Sequence, residues 1–429
     1  MVKKIFRHFD YSIVIPVLLL CAVGLVMVYS SSMIVSITRY HTSSDFFYNR
    51  QKMWLAFTLV LFILTMLTPY KLYPKILPYA ILGIFVLLLL VFVMGHTSNN
   101  AQSWLQLGGA NMQPAEYAKL VVILYLSYVL SKRQEYIDNI KKAFFGPMGL
   151  VFLILGFVAI QPDLGTGSII FAIAVTIMLC SGISKKTFFR MLALGIILLT
   201  VIITIGFFTG QFTANRIGRF TGASDPFANA QGTGYQLVNS YLAIGTGGLK
   251  GLGLGESVQK YGYLPEPHTD FIMAIIAEEL GFFGVMLVLG LLGFLIFRIL
   301  MLAKKSQDPF ASMICIGVAS MIGIQTGINL GGLTGLIPIT GVTLPFISYG
   351  GSSLLTLMVS MGIIVNISFF VNYQNKKQKN TENIVLHPTI HQQQAIDFRE
   401  KLCKKSKNLL EFYHFPLIFA FLLSNFAIY

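Results

Sequence analysis

Apolar runs of about 20 residues recur along this chain from Ile13 to Val371, separated by short polar or Pro/Gly-bearing breaks. A run of that length is what a helix needs to cross the hydrocarbon core of a bilayer, and lipid offers the backbone no hydrogen-bond partner, so each run must be helical. Ten runs can be marked, at 11–31, 53–69, 77–95, 114–131, 146–161, 164–183, 188–209, 271–301, 311–336 and 353–373. The expectation is an all-α polytopic integral membrane protein with about ten transmembrane helices. Composition agrees: 55% of the 429 residues are hydrophobic and 11% charged, whereas about a quarter of a soluble domain is charged. The first run begins deep, is long and lacks a small-residue cleavage signature, so it reads as a retained helix rather than a signal peptide.

The net charge of +14 raises nucleic acid as a partner, but the basic residues lie between the runs rather than in one aromatic-interleaved patch, which argues against it. Their placement instead gives an orientation. With the N-terminus inside, eighteen Lys and Arg fall in cytoplasmic segments, among them Lys3, Lys71, Lys132, Lys185, Arg298, Lys304 and Lys376. Seven fall outside: Arg39, Arg50, Lys52, Arg216, Arg219, Lys250 and Lys260. That asymmetry fits the positive-inside rule and puts both termini in the cytoplasm. Cys21, Cys180, Cys315 and Cys403 show no metal-ligand spacing, so neither a disulfide framework nor zinc is expected.

Three stretches depart from the apolar pattern. Residues 210–270, rich in Gly, Pro, Asn, Ser and charge, form a large extracytoplasmic loop between helices seven and eight, long enough to be functional. With anchors such as Tyr235, Leu237, Tyr241, Leu252 and Tyr263, it is expected to fold over the outer mouth. A second outer segment, 96–113, holds Trp104 and the turn signal Leu107-Gly108-Gly109, then enters the fourth helix through Gln113-Pro114. The third is the tail. The chain thus divides into a membrane domain, 1–373, and a cytoplasmic tail, 374–429, whose apolar terminus 412–429 follows Lys401, Lys404, Lys405 and Lys407 and reads either as lying along the anionic inner leaflet or as an unordered stretch with no role.

Ionisable residues within membrane helices are costly and so draw attention. Glu116 and Lys119, spaced i, i+3 at the outer start of span four, share a helix face. They read either as a packing ion pair or as a pair lining a cavity. Asp163, in Gln161-Pro162-Asp163-Leu164-Gly165, reads either as the N-cap of span six or as a site acid. Glu278 and Glu279 lie two turns into span eight and read as structurally neutralised. Asp270 closes Leu264-Pro265-Glu266-Pro267-His268-Thr269-Asp270, which delivers three titratable side chains to the mouth just before an apolar helix. It is either a helix cap or a reactive acid. Glu266, His268 and Asp270 together could also hold a divalent cation, Mg or Mn, although the prolines and the absence of helical spacing make that a weak metal signature. The run Gly247 to Gly255 lacks nucleotide-loop spacing; its pliable backbone suits close approach to a sugar or pyrophosphate, with amides that bind anions.

These residues carry a resemblance. Tyr263 to Ile272 followed by Glu278-Glu279-Leu280-Gly281, together with Gln113-Pro114-Ala115-Glu116, Gln161 to Thr166, Gly232-Thr233-Gly234-Tyr235-Gln236 and Pro345 to Ser353, resembles the SEDS (shape, elongation, division and sporulation) family over about residues 11–373. Gly251 to Lys260 looks like its FtsW-like division branch more than its RodA-like elongation branch. Ala115, Ser103 and Met273 depart from the family pattern without removing an assigned acid or base.

The resemblance implies a peptidoglycan glycosyltransferase in the bacterial plasma membrane, polymerising lipid II, the undecaprenyl-pyrophosphate-linked precursor, at the outer leaflet. It implies Asp270 as general base for the attacking sugar hydroxyl. Arg216, Arg219 and Lys250 would stabilise the leaving pyrophosphate. Glu116, Lys119, Asp163, Gln236, Glu266, His268, Ser348 and Ser352 are the candidates for contacting or positioning substrate. The implied partners are a class B penicillin-binding transpeptidase and other divisome membrane proteins. A flippase or transporter for the lipid-linked precursor is the competing class, but carriers place their acids at the midplane, whereas these lie near the outer face.

Overall fold

Asp and Pro set where several helices begin. In the computed structural model, which describes residues 9–98, 101–107, 110–136, 145–161, 163–208, 218 and 224–386, α1 (Tyr11–Thr38) is capped by Asp10, whose side chain accepts from the Ser12 amide at 3.1 Å. α2 (Phe46–Leu67) and α3 (Tyr73–Met94) follow. α4 (Pro114–Lys132) starts with Pro at its first position and Glu116 in its first turn, where the helix dipole favours a carboxylate. α5 (Phe145–Ile160), α6 (Leu164–Cys180) and α7 (Lys185–Phe208) complete the first part of the chain. After α8 (Tyr235–Gly247) come α9 (Ile272–Lys305), α10 (Pro309–Leu333), capped by Asp308, and α11 (Gly351–Leu386). The compact unit runs to Val371. Arg216, Arg219, Cys403 and the apolar terminus 412–429 lie outside the described residues.

Among the described residues six segments are long and apolar enough to cross a membrane: Tyr11–Thr38, Phe46–Leu67, Tyr70–Met94, Ile272–Lys305, Pro309–Leu333 and Gly351–Lys376. Side chains are distributed as lipid demands. Met53, Phe57, Val60 and Ile63 of α2, Leu82, Val86 and Val93 of α3, and Phe283, Leu287 and Phe297 of α9 are exposed, whereas Ser31, Ser32, Thr58, Lys119, Gln325 and Asn329 are buried. Apolar surface outward and polar groups inward is the arrangement of a multi-pass membrane protein. α9 packs against α1, α8 and α10, and α10 in turn against α4 and α6.

The all-helical expectation needs one correction. Residues 96–112 form a three-stranded antiparallel meander of β1 (His96–Ser98), β2 (Ala101–Leu107) and β3 (Ala110–Met112), with Leu107 opposite Ala110. The turn signal noted at Leu107-Gly108-Gly109 falls between β2 and β3.

The segment expected to be a covering loop is partly a helix packed into the bundle. α8 seats Gly247 so tightly on α9 that a Cβ there would lie 1.8 Å from the Ala277 carbonyl oxygen. α9 breaks at Gly281 (φ 65°, ψ −161°), a conformation open essentially to glycine alone. The break withdraws the helical partners of the Glu278 and Glu279 carbonyls. The Leu252 and Gly253 amides replace them at 2.9 and 3.0 Å, and the Phe282 amide donates to the Gly248 carbonyl at 3.0 Å. The Gly-rich run is therefore occupied by α9 backbone rather than presenting those amides to an anion. Gly251 is needed for closeness, since a Cβ there would meet the Glu279 carbonyl oxygen at 2.2 Å. Of the proposed anchors, Leu237 is buried and the Tyr241 hydroxyl donates to the Thr334 carbonyl at 3.0 Å, while Leu252 and Tyr263 are exposed.

The two adjacent acids of α9 both find their partners in this segment, Glu278 by hydrogen bonds and Glu279 by an ion pair. Glu278 accepts from the Ser257 hydroxyl at 2.5 Å and from the Val258 amide at 2.9 Å. Glu279 pairs with Lys260 at 2.9 Å, both side chains fully buried, and accepts from the Ser30 hydroxyl of α1. Lys260, read as a solvated outer cation, is thus a core residue. Removing one member of such a pair strands a buried charge, so Lys260→Met should cost about 3–5 kcal/mol of stability. The double variant Lys260→Met/Glu279→Leu should recover most of it. Thermal unfolding of the detergent-purified variants measures this, and a double variant no more stable than the single one would show that the charges are not coupled.

Candidate active site

Polar residues from seven chain segments meet at one end of the helices, where α1 and α10 finish and α2, α4, α6, α9 and α11 begin. Asp270 stands at their junction, and its neighbourhood is built from main-chain carbonyls. The Tyr349 amide donates to the His268 carbonyl at 2.9 Å. Ser348 Oγ donates to the Thr269 carbonyl at 2.6 Å. Asn329 Nδ2 of α10 donates to the Asp270 carbonyl at 2.8 Å and, at the same distance, to the Val342 carbonyl. Three successive carbonyls are therefore fixed from outside the segment. α9 begins at Ile272, directly after Phe271, whose own side chain makes no cap hydrogen bond. The Thr269 hydroxyl donates to Asp270 Oδ1 at 2.7 Å and lies 3.4 Å from Glu266 Oε2, linking the two carboxylates.

Glu266 also pairs with Arg39 at the end of α1, at 3.1 Å. Its carboxyl titrates above the ordinary range because it is buried and because Asp270 lies nearby, with Arg39 and the Thr269 bond opposing the shift. His268 is different. Its ring packs 4.3 Å from the Phe47 ring centre and 5.7 Å from that of Tyr349, and burial followed by the Arg39 charge pushes its pKa down to about 3. It is a neutral, stacked residue at any physiological pH. Among the described residues no three His, Cys, Asp or Glu side chains converge as a metal-holding group. The Glu266, His268 and Asp270 centre considered from sequence does not form, because His268 is taken up by its aromatic neighbours.

A second cluster lies at the start of α4. Lys119 donates to Glu116 at 2.9 Å and to Gln325 Oε1 at 3.2 Å. Gln325 Nε2 passes the chain on to the Thr343 carbonyl at 3.0 Å and to Ser353 Oγ at 3.2 Å. Glu116 and Lys119 are thus an ion pair that also reaches the segment beside Asp270. Asp163 caps α6 through the Thr166 amide at 3.1 Å and accepts from Gln113 Nε2 at 2.5 Å. Ser352 Oγ accepts from the Gln113 amide at 3.1 Å and lies 3.3 Å from the Tyr117 hydroxyl. Burial, with the Glu116 charge adding to it, raises the Asp163 carboxyl above the ordinary range, and the bonds from Thr166 and Gln113 oppose that shift.

The structure therefore gathers Asp270, Glu266 and Ser348 on one side and Glu116, Lys119, Asp163 and Ser352 on the other, joined through Gln325 and the 343–353 segment. Gln236 is half-buried in the first turn of α8, and Lys250 is exposed. Sequence reading passed over Gln325 and Asn329. The available signal was two amides spaced i, i+4 on one face of an otherwise apolar span.

Fold and site together define a multi-pass helical membrane protein with a cluster of buried and half-buried carboxylates at one end of its helices. The chain belongs to the FtsW/RodA/SpoVE family of cell cycle proteins, which matches residues 11–373. It is 53% identical over 384 residues to the probable peptidoglycan glycosyltransferase FtsW of Bacillus subtilis (strain 168), covering 88% of this chain and 95% of the relative. With the stage V sporulation protein E of the same organism it shares 38% identity over 367 residues, covering 85% of this chain and 98% of that one. Among solved structures it is similar to a chain of a peptidoglycan synthase complex that coordinates polymerization and crosslinking, with TM-score 0.67 and 26% identity over 85% of this chain and 99% of that one. It is also similar to the rod shape determining protein RodA of Thermus thermophilus, with TM-score 0.61 and 26% identity over 84% of this chain and 96% of that one.

The raised Asp163 carboxyl gives a signed prediction. Such a group contributes stability in full below its ordinary value, and that contribution is lost as pH rises through its folded value. Asn caps a helix about as well as Asp and stays neutral. Asp163→Asn should therefore match wild type in Tm near about pH 4 and exceed it near about pH 8. A variant less stable than wild type at the higher pH would show that ionised Asp163 is needed for folding.

Proposed function

We propose that this protein is a peptidoglycan glycosyltransferase that polymerises lipid II into glycan strands, working in septal cell division. Family membership and the similarity to glycosyltransferases support the activity. The closer likeness to FtsW than to RodA supports the division role. In this reading α1 to α7 and α9 to α11 cross the membrane, with both termini in the cytoplasm and the carboxylate cluster facing outward. The excess of Lys and Arg on the opposite side supports that orientation.

The single observation that carries the mechanism is the fixed main chain at His268, Thr269 and Asp270, which holds this acid beside a second carboxylate, Glu266. In the reaction a sugar 4-hydroxyl attacks the anomeric carbon of the lipid-linked chain. A new C–O bond forms there with inversion as the bond from the anomeric carbon to the pyrophosphate oxygen breaks. The hydroxyl proton passes to Asp270, and the electron pair leaves with the pyrophosphate. A carboxylate next to Glu266 and partly removed from water is a better base than one in solution. Arg216, Arg219 and Lys250 supply positive charge for the developing pyrophosphate. The Glu116–Lys119 pair, with Gln325, positions the 343–353 segment.

A class B penicillin-binding transpeptidase is the proposed partner, cross-linking the strands made here. The similarity to a synthase complex that couples polymerization to crosslinking supports it.

Purified Asp270→Asn should lose about 100-fold or more of lipid II polymerisation, the scale of general-base catalysis, while its thermal stability stays at the wild-type level. Normal polymerisation by Asp270→Asn would remove the base assignment. Failure of the wild-type protein to make glycan from lipid II would remove the function itself.

A further inference from the structure

The first turns of α2 dock on the segment that clamps the Asp270 main chain. Gln51 Nε2 donates to the Ser348 carbonyl at 3.4 Å, and Gln51 Oε1 accepts from the Gly350 amide at 3.5 Å. Gly351 lets Trp54 come so close that a Cβ there would lie 2.2 Å from the indole Cε2. Phe47 packs edge-on to the Tyr349 ring at 5.1 Å, and the His268 ring lies 5.7 Å from the same ring. Arg50 shares this part of α2. Its guanidinium sits 4.6 Å over the centre of the Phe46 ring and donates a hydrogen bond to the Tyr349 hydroxyl. A guanidinium can only donate, so the Tyr349 oxygen is the acceptor and its own proton points to whatever lies beyond the pair. Both residues are half-buried, so the pair belongs to the surface of the site rather than to the core.

We propose that Arg50 and Tyr349 bind the pyrophosphate of the lipid-linked donor, forming the anion seat of the reaction whose base is Asp270. The pair presents N–H and O–H donors with a positive charge, which is what a diphosphate, an acceptor throughout, requires. Arginine suits this place better than lysine because its planar fork can meet two phosphate oxygens at once. The Phe46 ring fixes that plane, so the donors need no rearrangement as charge develops on the leaving oxygen. An inverting displacement puts the attacking and leaving oxygens on opposite sides of the anomeric carbon, so base and anion seat must be separate yet rigidly related. Two successive residues provide this. Ser348 Oγ and the Tyr349 amide hold the Thr269 and His268 carbonyls, while the Tyr349 hydroxyl meets Arg50. Lys119, Lys260 and Arg39 are engaged by Glu116, Glu279 and Glu266. This inference rests on the glycosyltransferase reading and adds to it the place where the leaving group sits.

The test compares purified wild type, Arg50→Lys, Arg50→Gln and Tyr349→Phe in two measurements: lipid II polymerisation and equilibrium binding of inorganic pyrophosphate. Tyr349→Phe keeps the ring that packs on Phe47 and His268 and removes only the hydroxyl. It should therefore hold the wild-type Tm while weakening pyrophosphate binding and lowering kcat/KM by about tenfold, the scale of one hydrogen bond to a charged group. Arg50→Gln should lose about 100-fold in kcat/KM, and Arg50→Lys, which keeps the charge without the fork, should fall between it and wild type. Tyr349→Phe carries the comparison if the Arg50 variants are thermally unstable. Variants within about threefold of wild type in both measurements would overturn the anion seat and leave the activity standing. Pyrophosphate displaced by phosphatidylglycerol but not by lipid II would assign the pair to ordinary headgroups and overturn it as well. Weakened pyrophosphate binding in the variants of a protein that makes no glycan would support the seat and overturn the glycosyltransferase reading.

Discussion

Irregular backbone buried inside a protein has only protein to bond to, because its apolar surroundings supply neither donors nor acceptors. Two stretches that connect helices here, residues 248–271 and 334–350, meet that demand through α9 and α10. The first borrows carbonyls that α9 exposes by breaking at Gly281. The second is held by the side-chain amides of Gln325 and Asn329 and by Ser348. Asp270 lies where the stretches meet, so its placement is a by-product of satisfying the backbone around it. A carboxylate carried on main chain bonded at three successive carbonyls is held far more firmly than one on a solvated loop.

Charge is handled by the same economy of partners. Glu116 is matched by Lys119, Glu279 by Lys260, Glu266 by Arg39, and Asp10 by Arg298 at 2.5 Å. Each pair ties different parts of the fold together, except Glu116–Lys119, which acts within α4 and reaches outward through Gln325. Two of the cations that counted against the positive-inside asymmetry, Arg39 and Lys260, prove to be neutralised by acids of the fold. Asp163 has polar partners rather than a cation, and burial leaves its carboxyl raised.

Much of this was legible beforehand for a physical reason. A membrane helix must be both long and apolar, and each of the ten runs marked from sequence overlaps a helix of the structure, α1 to α7 and α9 to α11; most ends are displaced by up to two turns, and α11 continues to Leu386, well past the marked end at 373. The Pro-Glu-Pro-His-Thr-Asp motif drew attention to Asp270 because charge next to an apolar run is expensive. The same reasoning misjudged 210–270. Gly and polar residues look alike whether they face water or face another backbone, and only the break in α9 shows that Gly251 to Gly253 face protein. It also grouped Glu266, His268 and Asp270 by their nearness in sequence, although the His268 ring is turned onto Phe47 and Tyr349.

The sequence by itself determined the solvent this chain folds in, the helices it must form, and the acid most worth attention, because burying charge or bare backbone in hydrocarbon is costly wherever the chain goes. What tertiary structure alone decided is which group satisfies which. Lys260 could have been a surface cation, and Asn329 one more polar residue in a span. Partners as far apart as Ser30, Lys260 and Glu279, or Asp270, Asn329 and Val342, are set by helix packing and by the break at Gly281. Hydrogen bonds of about 3 Å depend on that packing, and no local pattern of residues encodes it.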